Sequence, residues 1–215
     1  AVITTFFMIA YALGQTFTGK LMDAVGTRIG MTLSIIGWSI SIACHAFARS
    51  LVSFSVFRFM LGFSEAGNWP GATKSNAEWF PPKERALAQG IFGAGASLGS
   101  VISAPIIALL YIAFGWKVTF ILIAGLGLIW VIPWLIVNKA TPDKHPWLTN
   151  EERDFILDKP KENSVGNISE VPVLTWQQLL KFRNTWGLIM GRFFIDPVWW
   201  LFVTWLPTFL KESFA

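Results

Sequence analysis

The sequence predicts an all-α polytopic membrane protein with about six transmembrane helices, and three observations predict it. Only 14% of the 215 residues are charged, where soluble domains carry roughly 25%, while 53% are hydrophobic and the mean hydropathy is +0.53. Six apolar stretches, near 1–18, 29–48, 51–79, 86–114, 117–138 and 185–210, each reach the ~20 residues that cross a hydrocarbon core of roughly 30 Å. No stretch alternates with the period of a barrel strand. In lipid every backbone N–H and C=O must then be bonded within its own segment, which leaves helix.

The third and fourth stretches are overlong and carry glycine and proline, which predicts tilt, kinks and close helix contacts. The links between stretches set an expected orientation. The first carries Lys20 and Arg28, the third Lys83 and Arg85. The polar stretch 139–184 carries Lys139, Lys144, Arg153, Lys159, Lys161, Lys181 and Arg183. The two remaining links are very short, with only Arg49 and Lys117. The positive-inside rule makes the basic links cytoplasmic, puts residue 1 outside, and suits a multi-pass protein of the cell's inner membrane. Because the chain opens at Ala1 inside an apolar run and stops at Ala215 just after another, a longer parent is expected.

Within 139–184, Thr149-Asn-Glu-Glu152 predicts a capping box opening a short helix through Leu157. The charged stretch Lys159–Glu170 is expected to be mobile, and Thr175–Phe182 to form a short amphipathic helix on the inner membrane surface. The expected organisation is five transmembrane helices over 1–138, a cytoplasmic inter-bundle loop over 139–184, and the first helix of a second bundle over 185–215.

Several function classes find no support. Cys44 is the single cysteine, which excludes an internal disulfide framework and a cysteine metal cluster. His45 and His145 have no Cys or carboxylate at ligand spacing, so neither a metal nor a cofactor is expected. Gly95-Ala-Ser97-Leu-Gly99 has the spacing of a nucleophile elbow, but it lies inside an apolar helical stretch with no strand before it, and an enzyme is not expected. The net charge of +4 lies at the ends of apolar runs and forms no basic face, which argues against nucleic acid as a partner. The lipid bilayer is the expected partner.

The first informative motif is Gly19-Lys-Leu-Met-Asp23-Ala-Val-Gly26-Thr-Arg28, between the first two stretches. Its glycines permit a tight turn, and Asp23 and Arg28 offer charges to neighbouring helix ends. An ordinary polar turn uses the same residue types, and spacing alone leaves both readings open. The motif resembles the loop signature of the major facilitator superfamily, and the link lengths match that family along the whole chain. The resemblance implies a partial major-facilitator-type helical bundle running from helix two to helix seven, part of two six-helix bundles rocking about a central site. It also implies a gating role for Gly19, Asp23, Gly26 and Arg28.

The second motif, in the third stretch, is Arg58-Phe-Met-Leu-Gly-Phe-Ser-Glu65-Ala-Gly-Asn68-Trp69-Pro70. Arg58 and Glu65 are seven residues apart, nearly two turns, so they share a helix face. At ~1.5 Å per residue Arg58 lies roughly 10 Å and Glu65 roughly 20 Å into the membrane, where each costs several kcal/mol unless paired or hydrated. One reading is a buried ion pair. The other is a working pair: a cation for an anionic substrate and a carboxyl for a coupled proton. Asn68, a turn further on, is a candidate hydrogen-bonder of hydroxylated substrate, and Trp69 a candidate stacking ring or a packing residue. Lys74 and Glu78 read as interfacial.

The run Glu65–Pro70, followed by Ala77-Glu-Trp-Phe-Pro81 and Glu84-Arg-Ala-Leu-Ala88, resembles the anion:cation symporter branch of the superfamily, hexuronate transporters in particular. That resemblance implies anion binding for Arg58 and proton coupling for Glu65. It departs at Gly93 and Ala94, where similar carriers hold an Asn. Glycines from Gly90 to Gly99 suit close helix packing, or room for a ligand. In the last stretch, Arg192 and Asp196 are four apart and read as a local pair, while Pro197 bends the helix. The Asp-Pro-Val-Trp-Trp run resembles the same carriers, which makes Asp196, Trp199 and Trp200 candidate cavity residues and Tyr11 a candidate aromatic hydroxyl near substrate. The expected function is proton-coupled uptake of a small organic anion, a hexuronate first. Alternatives are another carboxylate or an organophosphate carrier, by symport or exchange, and less favourably an intramembrane enzyme or a channel.

Overall fold

The 44 residues of α1 (Val2–His45) would make a rod of roughly 66 Å at ~1.5 Å per residue, about twice the membrane core. The helix is divided at Gly26, whose φ of 79° and ψ of 161° lie in a region essentially reserved for glycine. Its two arms, 2–25 and 27–45, carry the first two apolar stretches. The expected polar link therefore narrows to one residue, with most of the Gly19–Arg28 motif helical. These features come from a computed structural model that describes residues 2–157 and 176–214.

Ser50 caps α2 (Leu51–Glu65) in a reciprocal box with Ser53: the Ser53 N–H donates to Ser50 Oγ at 3.1 Å, and the Ser50 N–H donates to Ser53 Oγ at 3.0 Å. The third apolar stretch is two helices, because α2 stops at Glu65 and α3 (Asn68–Trp79) starts after Gly67. Pro70 explains the break: it has no N–H to give the Ala66 carbonyl, four residues back. Phe80, held extended at φ −122° and ψ 135° before Pro81, ends α3. The 53 residues of α4 (Arg85–Val137) are divided like α1, at Gly115 with φ 73° and ψ 168°.

Contacts give the direction of each arm. Phe7 abuts Gly62 and Gly14 abuts Phe63 and Ala66, so the first arm of α1 runs the same way as α2. Ser34 meets Gly67, Gly37 meets Ser64, and His45 meets Phe54, so the second arm runs against α2 and α3. That second arm also runs against the far arm of α4, through Arg28 with Leu135, Ser39 with Gly127 and His45 with Phe120. Asn76 with Gln89 and Trp69 with Phe92 place the near arm of α4 against α3. The interior is filled by small and flexible residues, among them Ala10, Met22, Met31, Ala66 and Ala72. Apolar residues also point outward, Val101 at 72% and Ile112 at 79% exposure, as a lipid-facing surface requires.

After α4 a 3₁₀ turn (Pro142–Lys144) leads to α5 (Asn150–Ile156), closed by the expected capping box of Thr149 and Glu152. These elements belong to a first compact unit, Ala1–Lys161. A second, Glu162–Ala215, holds α6 (Trp176–Leu179) and the 32-residue α7 (Arg183–Phe214). The charged stretch Lys159–Glu170 lies outside the described residues. Among the described residues every regular element is helical, so the fold is all-α, with α1 and α4 long and apolar enough for membrane crossing.

Candidate functional site

Close approach of α1 and α2 creates the site. A Cβ added at Gly62 would lie 2.5 Å from the Phe7 carbonyl oxygen, so glycine is what lets the two backbones meet there. Across this seam, Tyr11 of the first arm, whose hydroxyl is hydrogen-bonded to Gln15, lies within electrostatic reach of Glu65. Glu65, the last residue of α2, lies in turn within reach of Arg58. The structure thus brings Tyr11, Arg58 and Glu65 into one constellation. No ion pair within 4 Å joins Arg58 to Glu65 among the described residues. Arg58 instead rests on a ring, its guanidinium carbon 5.7 Å from the Phe54 centroid. Both charges are half-buried, so they are neither solvated nor mutually neutralised.

Asn68 and Trp69 face elsewhere. Asn68 lines a cavity of about 540 Å³ with Met31, Ile35, Trp38, Phe92 and Trp130, a lining that includes none of Tyr11, Arg58 and Glu65. Trp69 sets its ring edge-on to Phe92 at 5.2 Å. Between α2 and α3, Ala66 (φ −56°, ψ −22°) and Gly67 (φ −73°, ψ −15°) stay in the right-handed helical region, so the chain bends little there.

The Gly19–Arg28 motif is tied to α3 on both sides of Gly26. Lys74 Nζ donates to Asp23 Oδ1 at 2.8 Å and to the Met22 carbonyl at 2.9 Å, holding the end of the first arm. One turn along, Glu78 Oε2 accepts from Thr27 Oγ1 at 2.5 Å, holding the start of the second. Lys74 and Glu78, read from the sequence as interfacial, are the residues that tie the motif to α3. The available signal was their opposite charge at i, i+4, facing a link that offers a carboxylate and a hydroxyl. Beyond Gly26, Arg28 Nη2 reaches the Leu135 carbonyl at 3.5 Å, and Trp134 Nε1 donates to the Arg28 carbonyl at 3.2 Å. Gly19 has open space around it.

His145 proves to be structural. It is 3% exposed, its Nε2–H donates to the Val137 carbonyl at 2.9 Å, and its ring meets Trp79 and Trp147 edge-on at 5.2 and 5.3 Å. In the second unit Arg192 Nη1 donates to Asp196 Oδ1 at 3.0 Å, the local pair that their spacing suggested. The side chains of Trp199 and Trp200 lie outside the described residues.

Long apolar helices that double back at glycines, with apolar side chains facing outward, define a polytopic membrane protein. The model described as "Major Facilitator Superfamily" matches residues 1–215, and the chain belongs to that superfamily, a family of transporters and not of enzymes. It is 34% identical over 207 residues to the "Hexuronate transporter" of Escherichia coli (strain K12), a match covering 96% of this chain and 47% of that protein. It is 32% identical over 206 residues to the "Galacturonate transporter" of Dickeya chrysanthemi, covering 95% of this chain and 59% of that one. Similarity to the "Probable galactarate/D-glucarate transporter" of E. coli (strain K12) is 33% over 221 residues, covering 95% and 49%. The chain spans about half the length of these curated relatives.

Proposed function

We propose that this chain belongs to a secondary active carrier that moves a sugar-acid anion, a hexuronate first, into the cell together with protons. The observation that carries this reading is the Tyr11–Arg58–Glu65 constellation: a cation and a carboxyl at membrane depth that are near each other yet not paired. An intramembrane cation without a fixed partner suits an anionic substrate, and a carboxyl beside it suits a proton carrier. The printed names of the relatives point to the same substrate class.

In this reading Arg58 binds the substrate carboxylate, Glu65 takes the coupled proton, and Tyr11 lends a hydroxyl. Asn68 and Trp69 in the first unit, and Asp196, Trp199 and Trp200 in the second, are further substrate-contact candidates, each assigned by its own motif. Gly19, Asp23, Gly26 and Arg28, braced by Lys74 and Glu78, form the gate of the cytoplasmic face. The protein lies in the inner membrane with residue 1 outside, bundle helices over 1–138, a cytoplasmic loop over 139–184, and a second bundle beginning at 185–215.

The test is uptake of radiolabelled glucuronate into proteoliposomes of the full-length parent, with and without an inward proton gradient. One proton per monoanion is electroneutral, so each pH unit of gradient, ~1.4 kcal/mol, supports about tenfold accumulation independent of membrane potential. Each additional proton adds ~2.3 kcal/mol per 100 mV. Gradient-driven uptake of a different sugar acid would keep the mechanism and discard the substrate. Failure with every organic anion would sink the proposal.

A further inference from the structure

His45 is a fully buried titratable side chain that the proposed mechanism leaves unused. It closes the second arm of α1 with 0% exposure, stacked on Phe120 at 5.2 Å and edge-on to Phe54 at 4.8 Å. Its Nδ1 lies 2.7 Å from the Ser41 carbonyl oxygen, and a carbonyl only accepts, so Nδ1 carries the proton. In the neutral ring Nε2 is then a bare acceptor. It is fully buried and has no hydrogen-bond partner among the described residues.

The complementary orphan sits on the same ring. Arg58 lies over Phe54, on the helix that His45 packs against, and its Nε–H is equally buried and equally without a partner. The two side chains are within electrostatic reach of each other. A buried donor or acceptor left unmade is costly, and most are satisfied directly or through a bound water. Neither atom bonds the other directly, and one bound water beside the phenylalanine would satisfy both. Arg58 is only half-buried, so anchoring Nε leaves its terminal amino groups free to face a ligand.

We infer that His45 is a positioning residue for Arg58: one bound water links its Nε2 acceptor to the Arg58 Nε–H and fixes the direction in which the guanidinium is presented. The consequence for transport rests on the reading of Arg58 as the anion's partner. The water link itself does not. A neutral imidazole suits this task because it removes no charge from the guanidinium, whereas a carboxylate in its place would compete with the substrate.

Ring-¹⁵N-histidine labelling isolates His45 through the one signal that His45→Phe removes. With guanidinium-labelled arginine added, the reconstituted full-length protein should show a through-space correlation between His45 Nε2 and an arginine Nε–H. Arg58→Met should abolish it and move the His45 resonance to the free-acceptor position. An Nε2 resonance already at the free-acceptor position, with no correlation to arginine, overturns the pair. In uptake, His45→Phe keeps a ring but loses the acceptor, and should raise KM for the anion roughly tenfold with the maximal rate within about twofold. His45→Gln, which restores an acceptor near the same point, should recover KM. An unchanged KM, or equal losses in rate and protein amount that glutamine does not rescue, would show His45 to be packing only. Should Arg58→Met leave KM unchanged, the anion-binding reading of Arg58 fails while the nitrogen resonance still decides the pair.

Discussion

The two glycines of the Gly19–Arg28 motif should respond to alanine with opposite signs. Gly26 has φ 79° and ψ 161°, a region that an L-residue enters at a cost of ~1–3 kcal/mol. A Cβ there would meet nothing within 4 Å, so Gly26→Ala adds no clash and the cost is conformational alone. Gly19 lies within the helical first arm and also has nothing within 4 Å. Alanine there removes unfolded-chain freedom and should stabilise by ~0.5–1 kcal/mol. The two variants should therefore differ by about 1.5–4 kcal/mol, Gly26→Ala the weaker. Unfolding of the purified chain in mixed micelles, followed by far-ultraviolet circular dichroism over a dodecyl sulfate titration, reads this difference. A neutral Gly26→Ala, or a Gly19→Ala that destabilises as much, would refute the placing of the reversal at Gly26.

Gly62→Leu should destabilise by at least ~1–3 kcal/mol, because its Cβ alone would lie 2.5 Å from the Phe7 carbonyl oxygen, a backbone atom that cannot swing aside; the same titration reads it. His145→Ala deletes the bond to the Val137 carbonyl and the ring between Trp79 and Trp147. It should cost ~1–3 kcal/mol and speed limited proteolysis between residues 138 and 157. Glu152 is held below the usual glutamate range, first by the Thr149 N–H and then by the Thr149 hydroxyl. A depressed carboxylate stabilises above its unfolded value and loses that contribution as pH falls through the folded value. Hydrogen-exchange protection of α5 should therefore hold at neutral pH and fall once pH drops below ~4.3, with Glu152→Gln flattening the profile.

Hydropathy and link charge were enough to locate the helical stretches, because a membrane core demands length and apolarity before anything else. Gly115 falls between two stretches that composition alone had separated, and Gly26 inside the motif that had been singled out. Arg58 and Glu65 stood out because charges at that depth have few structural excuses. What sequence could not show is which distant residues a helix face meets. Spacing put Asn68 one turn beyond Glu65, and the structure sets it in a cavity with Trp38 and Trp130, which no local pattern places there. Lys74 and Glu78 read as interfacial because their partners, Asp23 and Thr27, lie about 50 residues away, beyond any local pattern. His45 and His145 looked idle for the same reason: their carbonyl and aromatic partners leave no spacing signature, unlike metal ligands or catalytic motifs.

The central claim is that Arg58 and Glu65 are a working pair, and Glu65→Gln in the full-length parent tests it most directly. Gradient-driven accumulation of glucuronate should be lost, while counterflow of labelled against unlabelled substrate, which needs no net proton movement, persists at a measurable fraction of the wild-type rate. Accumulation that survives the substitution intact would contradict the account and move the proton to another residue.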